Sequence, residues 1–196
     1  MGGEVRHESD ALISRLVFDT RLLVEPEGTL FFALKSDHKD GHSYIVNAYD
    51  KGVRHFVVNH SFIIPREFDD ACFISVDDTL RALQILARRH RQKYSIPVLA
   101  ITGSNGKTIV KEWLSQALSF KEKITRSPRS YNSQIGVPLS LWQLNEHSTL
   151  GIFEAGISRP GEMESLSELI RPTMGLITNI GMAHQEYFVS DRKSVV

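Results

Sequence analysis

The chain has 196 residues, of which 41% are hydrophobic and 23% charged, and its acidic and basic residues are equal in number. This composition is typical of a globular protein, and the zero net charge argues against a general nucleic-acid or anionic-membrane binder. No apolar run is long enough to span a bilayer, and the N-terminus lacks the apolar core of a signal peptide, so we expect a cytoplasmic protein. The single cysteine, Cys72, excludes an internal disulfide and lies in a predicted buried strand.

The first half of the chain alternates short apolar runs with helical patterns. Strands are predicted over RLVFDTR, GTLFFAL, RHFVVNH and ACFISV, and a short helix over GHSYIVNAYDKG. A longer amphipathic helix is predicted from Thr79 to Tyr94, capped by Asp78 or Thr79. We interpret the basic cluster in its last turns as complementing the helix C-terminus on a solvated face, with phosphate binding as the alternative.

The second half begins near Pro97, which ends that helix and starts a new apolar strand. Strands are predicted over VLAITG, KITRSP, LGIFEAGIS and MGLITNIG, and helices over KTIVKEWLSQALSF, GEMESLSELI and SQIGVPLSLWQL, the last at least beyond Pro138. This alternation predicts an α/β protein with a parallel sheet and helices on its faces. Domains are therefore predicted over residues 1–94 and 95–190.

A glycine-rich turn, GSNGKT, lies between a predicted strand and a predicted helix. Gly103 and Gly106 permit a tight turn whose N–H groups, with the positive end of the helix, form a site for phosphate oxygens. Lys107 can reach the terminal phosphates, and the Thr108 hydroxyl can ligate Mg²⁺. The first glycine of the general phosphate-loop pattern would fall at Ile101, so the strand before and the helix after carry the prediction. A ligand-free connection is the alternative.

Polar residues that follow later strands are predicted to converge on the same edge of the sheet, where open parallel sheets bind their ligands. Glu154 ends one predicted strand, and Asn179 and His184 follow another. Thr108, Glu154 and His184 are an oxygen, oxygen and nitrogen set suited to a magnesium–nucleotide site. Taken singly, Glu154 could cap the following helix and His184 could be a surface histidine. Their shared placement at strand ends favours the metal site.

Four segments, ITGSNGKT, NSQIGVP, FEAGISRPGEM and ITNIGMAHQE, resemble the ATP-domain motifs of the Mur ligase family. The elements DTR, EPEGTLFFAL and DGH in the first half resemble the UDP-substrate domain of that family. Within the family, the similarity is greatest to ligases that add D-alanyl-D-alanine to UDP-N-acetylmuramoyl-tripeptide. The stretch ITRSPRSYNSQIGVPLS further resembles the bifunctional variant fused to an alanine racemase. The resemblance extends from about Leu12 to Phe188.

The resemblance implies a UDP-substrate domain over residues 1–94 and a truncated P-loop-type, parallel-sheet ATP-binding domain over residues 95–190. It implies an ATP- and Mg²⁺-dependent amide ligase of peptidoglycan synthesis that works through an acyl phosphate. It assigns ATP binding to Gly103, Ser104, Asn105, Gly106, Lys107, Thr108 and Asn179. It assigns catalysis to Lys107 and His184, and metal binding to Thr108, Glu154 and His184.

Substrate binding is assigned by the same resemblance to Asp19, Thr20, Arg21, Asp40, Gly41, His42, Asn132 and Gln134. Asp19 and Arg21 could instead form a structural ion pair. Relatives often carry two adjacent asparagines where this chain has Asn132 and Ser133, so an individual role for Asn132 stays open.

The resemblance also implies that the chain stops inside the second of three domains, before a modified lysine that serves as a metal ligand, and is inactive alone. Residues 191–196 do not resemble the family's continuation and are predicted to be a non-native tail. One alternative is a folylpolyglutamate synthase-like ligase, which lacks a first domain of this type. The other is a nucleotide or UDP-sugar binding module without catalysis.

Overall fold

The computed structural model describes residues 3–36 and 39–181. The chain divides into two compact units, Met1–Leu83 and Gln84–Val196. The division falls inside the long helix rather than near Pro97, because the second half of the helix supplies Ala87 to the core of the second unit. Among the described residues, no helix is both long and apolar enough to cross a membrane.

The first unit contains a five-stranded sheet in the order β1-β5-β4-β3-β2 among the described residues, parallel except for β1. The four predicted strands and the short helix are confirmed. The elements are β1 (Glu4–Arg6), β2 (Arg15–Val17), β3 (Thr29–Phe32), a 3₁₀-helix (Gly41–Tyr44), α1 (Ile45–Asp50), β4 (His55–Asn59), β5 (Cys72–Val76) and the start of α2 (Thr79–Gln92).

A row of three phenylalanines forms the centre of the first unit's core. Phe31, Phe56 and Phe73 are register partners on β3, β4 and β5, and all are fully buried. Phe56 stacks on Phe73 with ring centroids 4.9 Å apart, and Phe31 meets Phe56 edge-on at 6.1 Å. Such cross-strand aromatic pairs stabilise a sheet and fix its register. Because β2, β3 and β4 are parallel to one another, their carboxyl ends lie at one edge of this sheet.

The second unit contains a parallel four-stranded sheet in the order β7-β8-β6-β9 among the described residues. The predicted strand–helix alternation is confirmed. The elements after α2 are β6 (Val98–Thr102), α3 (Lys107–Leu118), β7 (Ile124–Arg126), α4 (Gly136–Leu141), β8 (Leu150–Glu154), α5 (Glu162–Ile170) and β9 (Met174–Ile177). Helix α4 begins two residues before Pro138, since proline is tolerated in a first helical turn.

Strand β6 is the switch point of this sheet. From β6 the chain runs to β7 and then β8, which lie on one side of β6. It then crosses over to β9, which lies on the other side of β6. Open α/β sheets form a crevice beyond the carboxyl end of the strand at which the direction reverses. The glycine-rich turn follows directly after Thr102, the last residue of β6. The fold therefore places the predicted phosphate-binding turn at the point where ligands bind.

Candidate phosphate and metal site

The turn between β6 and α3, the phosphate loop (Gly103–Gly106), requires glycine at both ends. Gly103 has φ = 129° and Gly106 has φ = 81°, both in the region that favours glycine. A Cβ at Gly103 would overlap the Thr178 hydroxyl and stand 2.8 Å from the Asn179 carbonyl oxygen. No described side chain caps the start of α3, which leaves its positive end available to an anion.

The segment after β9 braces the phosphate loop. The Asn105 N–H donates to the Asn179 side-chain oxygen at 2.9 Å, and the Ser104 N–H donates to the Asn179 carbonyl at 3.0 Å. The Thr178 hydroxyl donates to the Asn105 carbonyl at 2.5 Å. Asn179, predicted to bind ATP, thus lies beside the phosphate loop, where it accepts hydrogen bonds from two N–H groups of the loop.

Lys107, the first residue of α3, is half-buried at the mouth of the loop. Its Nζ atom donates to the Gly103 carbonyl oxygen at 2.6 Å. The side chain therefore folds back across the loop that it follows. This position puts a cation on a flexible stem beside the first turn of α3, where phosphate oxygens bind in phosphate-loop proteins.

Glu154, the last residue of β8, is fully buried and points at the start of α3. Its Oε2 atom accepts a hydrogen bond from the Thr108 hydroxyl at 3.1 Å and one from the Asn132 amide at 3.4 Å. Its own N–H donates to Ser127 Oγ at 3.1 Å. Glu154 does not cap the following helix, since α5 begins only at Glu162 with Gly161 at its N-cap.

The oxygen atoms at this point fit a magnesium ion. The Thr108 hydroxyl and the Glu154 carboxylate are hard ligands, and Ser130 Oγ lies 3.3 Å from the Thr108 hydroxyl. The described residues hold no group of three acidic, histidine or cysteine side chains suited to a metal. Mg²⁺ needs no such group, because it usually keeps several waters and phosphate oxygens beside one or two protein ligands. His184, the third predicted ligand, lies outside the described residues.

The structure separates the two predicted residues of the NSQIGVP motif. Asn132 reaches Glu154, and its carbonyl accepts the Gly156 N–H at 2.8 Å. Gln134 instead ties its segment to neighbouring elements: its amide donates to the Glu162 carbonyl at 3.2 Å, and its side-chain oxygen accepts from Gln84 at 3.0 Å. Gln134 therefore has a structural set of partners, while Asn132 belongs to the site.

In the first unit, Asp19 and Arg21 form an ion pair just after β2. Arg21 donates its backbone N–H and its guanidinium to the Asp19 carboxylate at 2.5–3.0 Å. The hydrogen bonds from Arg21 lower the pKa of Asp19 to about 2. Thr20 between them is buried, and its carbonyl accepts the Lys51 ammonium at 3.0 Å. The ion-pair alternative thus describes the contact, while the Arg21 side chain stays 81% exposed and open to a ligand.

The second polar group of the first unit is built on Asp40, Gly41 and His42. The His42 Nε2 atom accepts the Asn59 N–H at 2.9 Å, so the ring proton lies on Nδ1 and is donated to Asp40 at 2.5 Å. Hydrogen bonds from the His42 backbone and ring lower the pKa of Asp40. A Cβ at Gly41 would stand 2.6 Å from the backbone of Leu34, so only glycine fits there.

Comparison with known proteins agrees with these motifs. The Mur ligase middle domain matches residues 101–195. The UDP-N-acetylmuramoyl-tripeptide–D-alanyl-D-alanine ligase of Bacillus subtilis is 35% identical over 175 residues, which is 89% of this chain and 37% of the relative. The chain is therefore similar to Mur ligases over most of its length, and its residues 101–195 match the middle domain of that family.

Solved structures of the Mur ligase family share the fold. MurF from Acinetobacter baumannii superposes with a TM-score of 0.83 at 28% identity, over 93% of this chain and 40% of that one. MurF from Thermotoga maritima, solved in complex with ADP, gives a TM-score of 0.78 at 27% identity, over 95% of this chain and 42% of that one. The chain spans about two fifths of the length of these relatives. The folylpolyglutamate synthase-like alternative is not favoured by these matches.

Two residues of this candidate site were not predicted from the sequence. Ser130 places its hydroxyl beside Thr108, and Lys111 forms a buried ion pair with Glu154, with 2.9 Å between Nζ and Oε1. Lys111 lies four residues after Lys107, and so on the same face of α3 one turn later. That spacing from the phosphate-loop lysine is the signal that could have found it.

Proposed function

We propose that this chain is the part of a UDP-N-acetylmuramoyl-tripeptide–D-alanyl-D-alanine ligase that binds the UDP-linked substrate and ATP. The observation that carries the proposal is the 3.1 Å hydrogen bond between the Thr108 hydroxyl and the buried carboxylate of Glu154. It joins the start of the phosphate-loop helix to an acidic strand end at the switch point of the sheet. The name of the Bacillus subtilis relative supplies the substrate class.

The phosphate loop and the start of α3 are proposed to hold the phosphates of ATP. Lys107 would exchange the Gly103 carbonyl for a phosphate oxygen and stabilise the charge that develops during phosphoryl transfer. Asn179 would contribute by keeping the loop in its binding shape, since its contacts are with the loop backbone. Thermotoga maritima MurF was solved in complex with ADP, which supports nucleotide binding by this chain.

The reaction proposed for the whole ligase has two steps. The γ-phosphoryl group of ATP passes to the terminal carboxylate of the UDP-linked tripeptide, which gives an acyl phosphate and ADP. The amine of D-alanyl-D-alanine then attacks the acyl carbon, the C–O bond to phosphate breaks, and the amine loses a proton as the amide forms. Magnesium, when bound, offsets negative charge on the phosphates. Thr108 and Glu154 would hold one ion, and His184 is proposed for a second.

The edge formed by Asp19–Arg21 and Asp40–His42 is proposed to bind the UDP part of the substrate. The Asp19 carboxylate accepts from Nε and one terminal nitrogen of the exposed Arg21 guanidinium, and Asp40 fixes the orientation of the His42 ring. A guanidinium is well suited to a diphosphate because its planar fork donates two parallel hydrogen bonds. The cytoplasmic location and the fusion to an alanine racemase stay predictions.

The proposal is tested by calorimetric binding of ADP with Mg²⁺ and of UDP-N-acetylmuramoyl-tripeptide to the chain. Lys107→Ala removes a charged hydrogen bond to phosphate, which is worth about 1.5–3 kcal/mol, and the Kd for ADP should rise about 10- to 100-fold. Lys121→Ala, an exposed lysine just beyond the other end of α3, is the matched control and should leave ADP binding unchanged.

Both variants should keep the unfolding midpoint of the parent chain, because neither side chain is part of the core. Equal ADP affinity in Lys107→Ala and Lys121→Ala would contradict the assignment of ATP binding to the phosphate loop. Binding of ADP without any binding of the UDP-linked tripeptide would remove the substrate assignment of the first unit and leave a nucleotide site alone.

A further inference from the structure

Lys111 on α3 is a fully buried lysine beside the proposed nucleotide site. Its Nζ atom donates to the carbonyl oxygens of Ser127, at 2.8 Å, and Arg129, and it pairs with Glu154 Oε1 at 2.9 Å. Lysine is almost never fully buried unless it is paired. Glu112 Oε1 lies 3.3 Å from the same nitrogen, so oxygen atoms of four residues surround the buried ammonium and leave it no place for a ligand.

The contacts of Lys111 divide the two oxygen atoms of Glu154 between two tasks. Oε1 faces the ammonium of Lys111, and among the described residues it has no hydrogen bond with a favourable angle. Oε2 faces the Thr108 hydroxyl and the Asn132 amide. The carboxylate is thereby fixed in one orientation, with one oxygen held inside the fold and the other turned to the start of α3.

The same ammonium also fixes the segment that follows β7. Its bonds to the carbonyls of Ser127 and Arg129 lie directly before Ser130, whose hydroxyl is 3.3 Å from the Thr108 hydroxyl. Burial of an ion pair in place of two apolar side chains seldom adds stability, so stability alone does not account for a charged pair at this place.

We propose that Lys111 is a positioning residue that orients Glu154, so that Oε2 faces the divalent cation bound with the nucleotide. The inference rests on the proposed function, because it needs a magnesium–nucleotide complex at the phosphate loop. Lys111 acts through Glu154 and does not touch the nucleotide. Its loss should therefore weaken the contribution of magnesium to nucleotide binding and leave magnesium-free binding unchanged.

The test measures the Kd for ADP in Mg²⁺ and in EDTA by calorimetry on the chain, together with the thermal unfolding midpoint. In Lys111→Met we expect the Kd in Mg²⁺ to rise about tenfold, because Glu154 is no longer held with Oε2 towards the cation, with the Kd in EDTA unchanged. Arg91→Met is the matched control: Arg91 is a buried cation of the same unit that donates to the carbonyls of Tyr94, Ile170 and Arg171, before the amino ends of β6 and β9. It should lower the unfolding midpoint without changing the ratio of the two Kd values.

An unchanged ratio in folded Lys111→Met would overturn the inference, as would equal changes of the ratio in Lys111→Met and Arg91→Met. If Lys111→Met does not fold, the double variant Lys111→Met with Glu154→Gln is measured in its place, because it removes both charges of the buried pair. It should bind ADP in EDTA as the parent chain does, and a Kd about tenfold higher there would show that Lys111 acts other than through Glu154. A parent chain that binds no ADP in either buffer would instead overturn the proposed function itself.

Discussion

Replacing Gly103 by alanine should damage the phosphate loop more than any other single methyl group added there. The new Cβ would overlap the Thr178 hydroxyl and stand 2.8 Å and 3.0 Å from the backbone oxygen and nitrogen of Asn179. Backbone atoms cannot rotate away as a side chain can. The brace would therefore have to separate from the loop, and with it the two hydrogen bonds that Asn179 accepts from Ser104 and Asn105.

The expected loss of stability follows from two separate terms. A φ of 129° lies far from the left-handed region that L residues tolerate, and holding alanine there costs about 1–3 kcal/mol. Overpacking against a fixed backbone adds about 1–3 kcal/mol. We expect a total of about 2–6 kcal/mol, which is a large share of the roughly 5–15 kcal/mol that typically hold a domain together.

Gly161→Ala isolates the backbone term. Gly161 has φ = 83°, and nothing lies within 4 Å of the position that the new methyl group would take, so alanine there meets no steric clash. Its cost should be about 1 kcal/mol, as expected for a left-handed residue with free space around it. Urea unfolding of the two variants and the parent chain, followed by circular dichroism, measures both values.

Nucleotide binding should separate the variants as clearly as stability does. Gly103→Ala changes the loop that is proposed to hold the phosphates, so its Kd for ADP should rise about 100-fold, whereas Gly161→Ala should bind as the parent chain does. Equal unfolding free energies for Gly103→Ala and Gly161→Ala would refute the argument, since they would mean that the contact with Thr178 and Asn179 is relieved at no cost.

Two further predictions concern charge. Glu154→Gln leaves the half-exposed Glu112 as the remaining counter-charge of buried Lys111 and should lower the unfolding free energy by up to about 3–5 kcal/mol; an unchanged unfolding midpoint would contradict the buried pair. The pKa of Asp19, lowered to about 2 by Arg21, stabilises the first unit above the ordinary aspartate pKa, and this contribution is lost as the pH falls from about 4 towards 2. Because Arg21 is exposed, it should amount to less than about 1 kcal/mol, and an NMR titration that places the Asp19 pKa near 4 would exclude the pair.

Most strands of the two sheets were predictable because they lie in short runs of mainly apolar residues. All five residues of β8 are buried, as the run LGIFE predicts for a strand covered on both faces. Strand β1 escaped prediction because its three residues, Glu4–Arg6, are mostly polar and exposed, and only pairing with β5 makes them a strand. Local pattern cannot reveal pairing between segments so far apart in the chain.

The division between the two compact units lies earlier than Pro97 for a related reason. Pro97 is a strong local signal, whereas the division at Gln84 depends on which core each half of α2 packs against. Thr79 donates to the Ala33 carbonyl in the first unit, while Arg91 donates to the Ile170 carbonyl in the second. An amphipathic pattern shows that a helix has an apolar face, but it does not show which core each half of that face joins.

Residues of the candidate site that lie at strand ends were predictable, whereas a residue held by main-chain carbonyl groups was harder to predict. Thr108 and Glu154 were predictable because the ends of parallel strands meet at one edge. Lys111 is marked only by its spacing of four residues from Lys107, because a lysine on an amphipathic helix is ordinarily solvent-facing and two of its partners are carbonyl groups. Every residue type supplies a carbonyl, so the sequence carries no mark of such an acceptor.

The brace on the phosphate loop makes the nucleotide site depend on β9. Thr178 and Asn179 follow β9 directly, and in the described part of the sheet β9 pairs with β6 alone, along one edge. Met174 and Ile177 on β9 are exposed, and segments with few buried apolar contacts open at a lower free energy than fully buried ones. When β9 opens, the loop loses the acceptors for its N–H groups and the contact that shapes it at Gly103. The geometry of the phosphate loop is therefore only as stable as the pairing of β9 with β6, even though every residue of the loop itself follows the central strand.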